Sequence, residues 1–513
     1  MFSKLFSCVL KGLSTQIIEV ETAVSKGLRC FNIVGLGDKA IEEAKERVGA
    51  AIKSIGLRSP HHEVLRVLVN LAPADLKKEG SLYDLPIALG YLLSSGQTRF
   101  DPYKRIFLGE LALDGSLKPI KGALSFSSLA ESMGFKEIIL PKENALEASL
   151  INLKKEKIKV IGLENLKQVL KYLENKEKFE PINLDLDKLK NSYQDCSVKL
   201  GWIKGQDHSK RGLEISAAGG HNVLLQGPPG AGKTLMAKAI ISILPKPSLE
   251  ESLELTKIYS SIGFIPKQTP FFSQRPFRSP HHTSSEVALI GGGSPPRPGE
   301  ITLAHRGILF LDEFPEFHRD ILQSLRQPIE EGKINIQRAR YNLTFPCNFT
   351  LIAAANPCPC GYYNDPEREC TCTPSQIASY RRKLSGPLMD RIDIFSWVPS
   401  LKYEELTSVD KENVSEEIRK RVETARAFQK QRFVNDKILT NSEMEIPQIK
   451  KYCQIDSASQ NILRQYVNSN KLSARGYHRV LKIARTIADL EEKENMSFDD
   501  ISEALSYRVR EGI

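Results

Sequence analysis

Between residues 223 and 241 the chain carries a run that very few folds can accommodate. Three apolar residues, Val223-Leu224-Leu225, lead into Gly227-Pro228-Pro229-Gly230-Ala231-Gly232-Lys233-Thr234. Apolar residues at helical spacing follow: Met236, Ala237, Ile240 and Ile241. The octet satisfies G-x-x-x-x-G-K-[ST] in full, and it sits in the strand–loop–helix context that the motif requires. Its glycines let the backbone curl until its N–H groups point inward at phosphate oxygens. Lys233 adds positive charge near the β and γ phosphates, and the Thr234 hydroxyl is placed to ligate Mg²⁺. The expected cofactors are therefore ATP and Mg²⁺, bound at the edge of a parallel α/β sheet.

A second half-site lies downstream. Ile308-Leu309-Phe310-Leu311 reads as a strand buried on both faces, and it ends in Asp312-Glu313. A carboxylate pair there falls at the C-terminal edge of the sheet, where α/β ligands bind. Asp312 is the expected Mg²⁺ partner with Thr234, and Glu313 the general base that polarises the attacking water. A third apolar run, Thr350 to Ala354, ends near Asn356, whose amide could orient the water or reach the γ-phosphate; a loop Asn before Pro is also ordinary.

At 513 residues the chain exceeds one hydrophobic core. We expect a mixed α/β domain over 1–174, a polar linker over 175–200, the ATPase core over 201–400 and a helical domain over 401–513. In the first domain Phe31–Val34, Val64–Leu71 and Lys136–Leu140 read as strands, the second of them as a buried run. Lys39–Ile55 and Asp84–Leu93 read as helices, the former with Ala40, Ala44, Val48 and Ala51 on one face. The last helix has a start signal at Ser497, with Asp500 three residues on and Ile501, Ala504 and Leu505 behind it. No apolar run is long enough to cross a membrane, and Met1–Leu13 lacks the pattern of a signal peptide. The expectation is a cytoplasmic protein with no membrane partner. Its net charge of +10 suits a polyanion such as nucleic acid, as it suits many mildly basic proteins.

Four of the nine cysteines, Cys358, Cys360, Cys370 and Cys372, form C-x-C-x₉-C-x-C. Two close pairs across a short loop can fold onto one tetrahedral Zn²⁺ in a closed, structural site. Four reduced thiols in a cytosolic chain would look the same in sequence. His281 and His282 have no assignable role. Gly35-Leu36-Gly37-Asp38-Lys39-Ala40 fits G-x-G-x-x-[GA], but without an acidic residue ending a second strand at the needed distance. It reads as a strand-to-helix turn.

These pieces, in this order, resemble the magnesium-chelatase-like branch of the AAA+ ATPases, and in particular the ComM/YifB family, over nearly the whole chain. The stretches that carry the resemblance are Asn70–Leu76, Tyr83–Leu89, Arg278–Thr283, Ala355–Tyr362 and Ser385–Asp393. The resemblance implies that Asn356 is a sensor-1 residue, Arg391 an arginine finger reaching the neighbouring subunit's ATP, and Arg475 a sensor-2 arginine. A finger acting in trans implies a homo-hexamer. The resemblance further implies a Lon-protease-like (ribosomal S5 domain 2-like) first domain ahead of the P-loop core and helical lid. Ser81 lies near the nucleophile position of active Lon-like domains, but the lysine they need is missing; only Lys121 is close. A serine without a placed base is not activated, so the domain is expected to be a scaffold or to admit DNA. The family role implied is an ATP-driven DNA motor for branch migration in natural transformation. Lys333–Phe345 alternates like a hairpin, and Lys333, Arg338 and Arg340 are its candidates for contact with DNA phosphates. An exposed hairpin with a solvated basic face would read alike. Two other expectations stand beside the DNA motor: a chelatase motor subunit, and an ATP-dependent peptidase or regulator.

Overall fold

The computed structural model describes residues 1–35, 37–78, 80–153, 158–182, 184, 198–265, 270–294, 296–338, 341–365, 368–384, 388–401, 403, 413–436 and 438–508. The chain forms two units: residues 1–193 with 249–273, and residues 194–248 with 274–513.

In the first unit, alternating residues make β1 (Phe2–Lys11) and β2 (Ser14–Lys26), paired antiparallel from Phe2↔Ala23 to Lys11↔Ser14. The other strands are β3 (Cys30–Val34), β4 (Leu65–Ala72), β5 (Arg105–Phe107), β6 (Glu110–Leu111), β7 (Leu117–Lys118), β8 (Glu137–Pro141) and β9 (Lys159–Leu163). Seven of them form one mixed sheet in the order β3-β4-β2-β1-β5-β8-β9, while β6 and β7 pair separately. Helices Lys39–Ser54 and Asp84–Ser94 contribute Ile41, Val48, Leu85 and Leu89 to one apolar cluster. Helices Ala123–Ser132 and Lys142–Ser149 contribute Phe126, Ala130, Ala145 and Ala148 to another.

The strand expected at Val64–Leu71 is present, but it is not buried on both faces. Val64 falls outside β4 and is 77% exposed, and Leu68 is 39% exposed. An apolar run does not reveal which strand lies near the rim of a sheet; β4 neighbours the edge strand β3. Helix Leu249–Ile262 belongs to this unit although it follows the phosphate-loop helix in sequence. Leu249 and Leu253 pack with Leu124, Leu150 and Phe271. The Ser260 hydroxyl donates to the buried Glu147 carboxylate and accepts the Gly122 N–H at 2.9 Å. Most buried polar groups are paired in this way.

The second unit has strands β10 (Val223–Gln226), β11 (Phe277–Arg278), β12 (Gly291–Gly292), β13 (Arg297–Pro298), β14 (Ile308–Leu311), β15 (Lys333–Arg338), β16 (Tyr341–Pro346), β17 (Thr350–Ala355) and β18 (Ile394–Trp397). Five of them form a wholly parallel sheet, ordered β11-β14-β17-β10-β18. The apolar runs seen in the sequence are its central strands, and every residue of β14 is buried. Parallel strands buried on both faces require such runs. The C-terminal helical segments include Val414–Arg432, Ala474–Leu490 and Phe498–Ser506. They share one core with the sheet, in which Val422, Ile483, Ile487 and Ile501 join Val223, Leu225, Ile352 and Ile394. The start signal at Ser497 is a full capping box: its side chain accepts from the Asp500 N–H while Asp500 reaches back to the Ser497 N–H.

Candidate nucleotide site and cysteine cluster

Strands β10, β14 and β17 are adjacent or next-adjacent in the sheet, so their C-terminal ends bring residues 227–234, Asp312–Glu313 and Asn356 to one edge. Gly230 and Gly232 hold φ of 79° and 86°, backbone that side chains other than glycine rarely adopt. Gly232 is also the N-cap of helix Lys233–Ala239, so the loop passes directly into a helix N-terminus. The Lys233 ammonium donates to the carbonyls of Gly227 and Pro228 at 2.7 and 2.8 Å and to Asn356 Oδ1 at 3.1 Å. Burial pushes this ammonium down to about 8, against the opposing pull of Asp312. An anion seated in the loop would favour the charged form and raise it again.

Thr234 Oγ1 donates to Asp312 Oδ2 at 2.7 Å. Two cis ligands of an octahedral Mg²⁺ with ~2.1 Å bonds stand ~3.0 Å apart, so this oxygen pair, with a small outward shift, could share a magnesium. Asp312 Oδ1 accepts the Glu313 N–H at 2.9 Å, which fixes the carboxylate plane. Glu313 takes a left-handed backbone, φ 49°, and its Oε2 lies 3.2 Å from His282 Nδ1. His282, to which the sequence alone assigns no role, thus stands beside the candidate base. Its partner is remote in the chain, and only the parallel pairing of β11 with β14 brings the two together. In the same stretch Arg278 grips Glu300 with two bonds of 2.6 and 2.7 Å.

Arg391 is nearly buried, ends a short 3₁₀ turn and is paired with Glu330. Its carbonyl accepts from Asn222 Nδ2 at 3.0 Å and from Arg479 Nη1 at 3.3 Å. Nearby Asp393 is fully buried. Burial alone would raise its carboxyl, but the guanidinium of Arg479 and the ring of His221 outweigh that and hold it well below the usual carboxylate range. Arg475 is exposed, 3.9 Å from Asp390. Arg391 and Arg475 line one cleft of about 460 Å³, and no residue of the phosphate loop lines it.

The four cysteines converge. All four sulfurs lie within 4.8 Å of one another. Cys358 stands 3.3 Å from Cys360 and 3.7 Å from Cys370, and Cys360 stands 3.5 Å from Cys370. Sulfurs on a tetrahedral ion with ~2.3 Å bonds would be ~3.8 Å apart, so the cluster could hold a structural metal ion.

Strands β15 and β16 form the expected hairpin, in register from Lys333↔Pro346 to Arg338↔Tyr341. Ile334, Ile336, Leu343 and Phe345 are buried, while Lys333, Asn335, Gln337, Asn342 and Thr344 are exposed. The Arg338 side chain and all of Arg340 lie outside the described residues.

In the first unit the Ser81 hydroxyl donates to Glu110, and the Lys121 stem lies against Gly263. Asp38 is the N-cap of helix Lys39–Ser54: it accepts from the Ile41 N–H at 3.1 Å and from the Gly80 N–H at 3.0 Å. The bond to Ile41 occupies one of the helix N-terminal donors with which a phosphate-binding turn would hold its ligand. Among the described residues no helix is long and apolar enough to cross a membrane.

Models of the magnesium chelatase subunit ChlI match residues 199–406, of ChlI of Mg-chelatase residues 20–144, and of the ChlI C-terminal region residues 412–508. A YifB protein of Salmonella typhimurium is 41% identical, covering 97% of this chain and 95% of its own. The competence protein ComM of Haemophilus influenzae is 38% identical over 98% of this chain and 97% of its own. The chain belongs to the magnesium-chelatase-like ComM/YifB family of AAA+ ATPases. A weaker match, 24% identical over 51% of this chain and 32% of the relative, is to a DNA replication licensing factor, mcm7-B, of Xenopus laevis. As a ComM/YifB ATPase the chain is an ATP-hydrolysing enzyme.

Proposed function

We propose that this ComM/YifB ATPase assembles as a homo-hexameric ring that hydrolyses Mg²⁺-ATP between neighbouring subunits and uses the cycle to move DNA. The carrying observation is the separation of charges: Arg391 and Arg475 share a cleft that no phosphate-loop residue lines. Each subunit would offer one face with Lys233, Thr234, Asp312, Glu313 and Asn356, and another with the two arginines. In that reading Glu313 draws the proton from the attacking water, Asn356 orients it, and Arg391 and Arg475 of a neighbour stabilise charge on the transferred phosphoryl group. Thr234 and Asp312 would hold Mg²⁺, which when bound would neutralise phosphate charge. The Lon-like first domain serves as a scaffold.

DNA is favoured by the net charge of +10, by the solvated polar face of the hairpin with Lys333 on it, and by the presence of a competence protein and a replication licensing factor among the relatives. For the cysteine cluster we assign Zn²⁺, since four soft thiolates in tetrahedral array favour it over harder ions.

The test is ATP turnover with and without forked or single-stranded DNA, and three-stranded branch migration, against Lys233→Ala. DNA is expected to stimulate turnover. Lys333→Glu is expected to lower that stimulation about tenfold and the salt slope of binding by about one, with basal turnover kept. Turnover indifferent to DNA but raised by a metal-insertion partner would transfer the reading to a chelatase motor.

A further inference from the structure

We infer that the metal held by Cys358, Cys360, Cys370 and Cys372 positions the ATP site, acting as a brace through which the cysteine loop holds Asn356 and the phosphate loop in place. The inference rests on the ATPase reading and on a metal in the cluster.

Three contacts join the cluster to the nucleotide edge. Strand β17 ends at Ala355, so Cys358 lies two residues beyond Asn356, and Asn356 in turn accepts from the Lys233 ammonium at 3.1 Å. Gly361 closes a turn, its N–H donating to the Cys358 carbonyl at 3.0 Å. It does so with φ 88°, and a Cβ there would stand 2.5 and 2.6 Å from Cδ and Cγ of Pro229, inside the phosphate loop. The cysteine turn therefore lies directly on the proline that shapes the loop. Past Cys372, helix Pro374–Leu384 brings the buried Tyr380 back beside the Asn356 backbone.

Apolar packing does little to hold the described part of this segment. Among the described residues from 362 to 376, none is buried. Tyr362 and Tyr363 are half-buried and meet Arg368 and Arg381 over their rings at 5.2 and 4.6 Å. Such partly solvated cation–π contacts are individually weak. A loop with so few apolar contacts opens locally at low cost, unless a cross-link closes it. Four thiolates around one cation provide that cross-link and couple metal binding to local folding. The metal would touch neither ATP nor Mg²⁺; its effect would pass through the Gly361–Pro229 contact and through Asn356.

The experiment uses the full chain. Wild type is expected to carry about one Zn²⁺ per chain and, after exchange with Co²⁺, to show the strong visible bands of a tetrahedral thiolate site. Cys370→Ser/Cys372→Ser is expected to lose the metal, to exchange amide hydrogens faster over residues 227–234 and 356–361, and to raise the KM for ATP about tenfold. Circular dichroism checks that the rest of the fold persists. Gly361→Ala keeps the thiolates and presses on Pro229. It is expected to retain the metal yet show the same rise in KM, which a cluster that merely stabilises the fold would not produce. Unchanged exchange at 227–234 after metal loss, or Gly361→Ala with wild-type KM, overturns the brace. A wild type without metal overturns the zinc reading beneath it. A wild type that binds zinc but does not turn over ATP would count against the ATPase reading instead, and hydrogen exchange would still report on the brace.

Discussion

Glu313→Gln is expected to lower ATP turnover by about 10²–10⁴-fold, the range in which a positioned general base contributes, while ATP binding is kept. Glutamine preserves the shape of the side chain and its reach towards His282, 3.2 Å from the carboxylate. It removes only the ability to take a proton from water. The binding groups, Lys233 with its three acceptors and Thr234 with Asp312, are untouched. Single-turnover and equilibrium measurements with a fluorescent ATP analogue separate the two effects. A Glu313→Gln enzyme at wild-type rate would move the base elsewhere, and His282 would be the first place to look.

Arg391→Ala is expected to cost about 10³–10⁵-fold in turnover, as removal of an arginine finger does. The more telling result comes from mixing. Arg391→Ala supplies an intact phosphate loop, and Lys233→Ala supplies an intact arginine. If the two groups act across a subunit boundary, two inactive proteins combined should regain turnover. If Arg391 serves its own chain, no mixture recovers. The chain positions Arg391 firmly for such a role: Asn222 and Arg479 hold its carbonyl, and the buried Asp393 ties Arg479 in place. Because Glu330 pairs with the guanidinium, Glu330→Gln provides a control that frees the arginine without removing it.

Much of the candidate nucleotide edge is legible in the sequence because the residues that build it are local in the chain. The glycines at 230 and 232 appear as a motif because the backbone there needs positive φ, and the acids at 312 and 313 stand at the end of an unbroken apolar run. Four cysteines in two close pairs were legible for the same reason. What spacing did not reveal depends on contacts made at a distance. His282 meets Glu313 only once β11 lies beside β14. Gly361 looks like an ordinary loop glycine until Pro229 is found beneath it. Helix Leu249–Ile262 has an apolar face, but nothing in its own residues says that this face meets Leu124 and Leu150. The half-exposed β4 reads as buried because Leu68 is apolar, although exposed apolar residues are common at a sheet's rim.

The central claim is that Thr234 and Asp312 share a magnesium on which the triphosphate is held. Thr234→Cys tests it most directly, because it replaces a hard oxygen ligand with a soft one while keeping the size of the side chain. Turnover with Mg²⁺ should fall at least about 100-fold, and Mn²⁺, which accepts sulfur more readily, should restore about tenfold or more. Turnover with Mg²⁺ equal to wild type, or a loss that no change of metal relieves, would contradict the account.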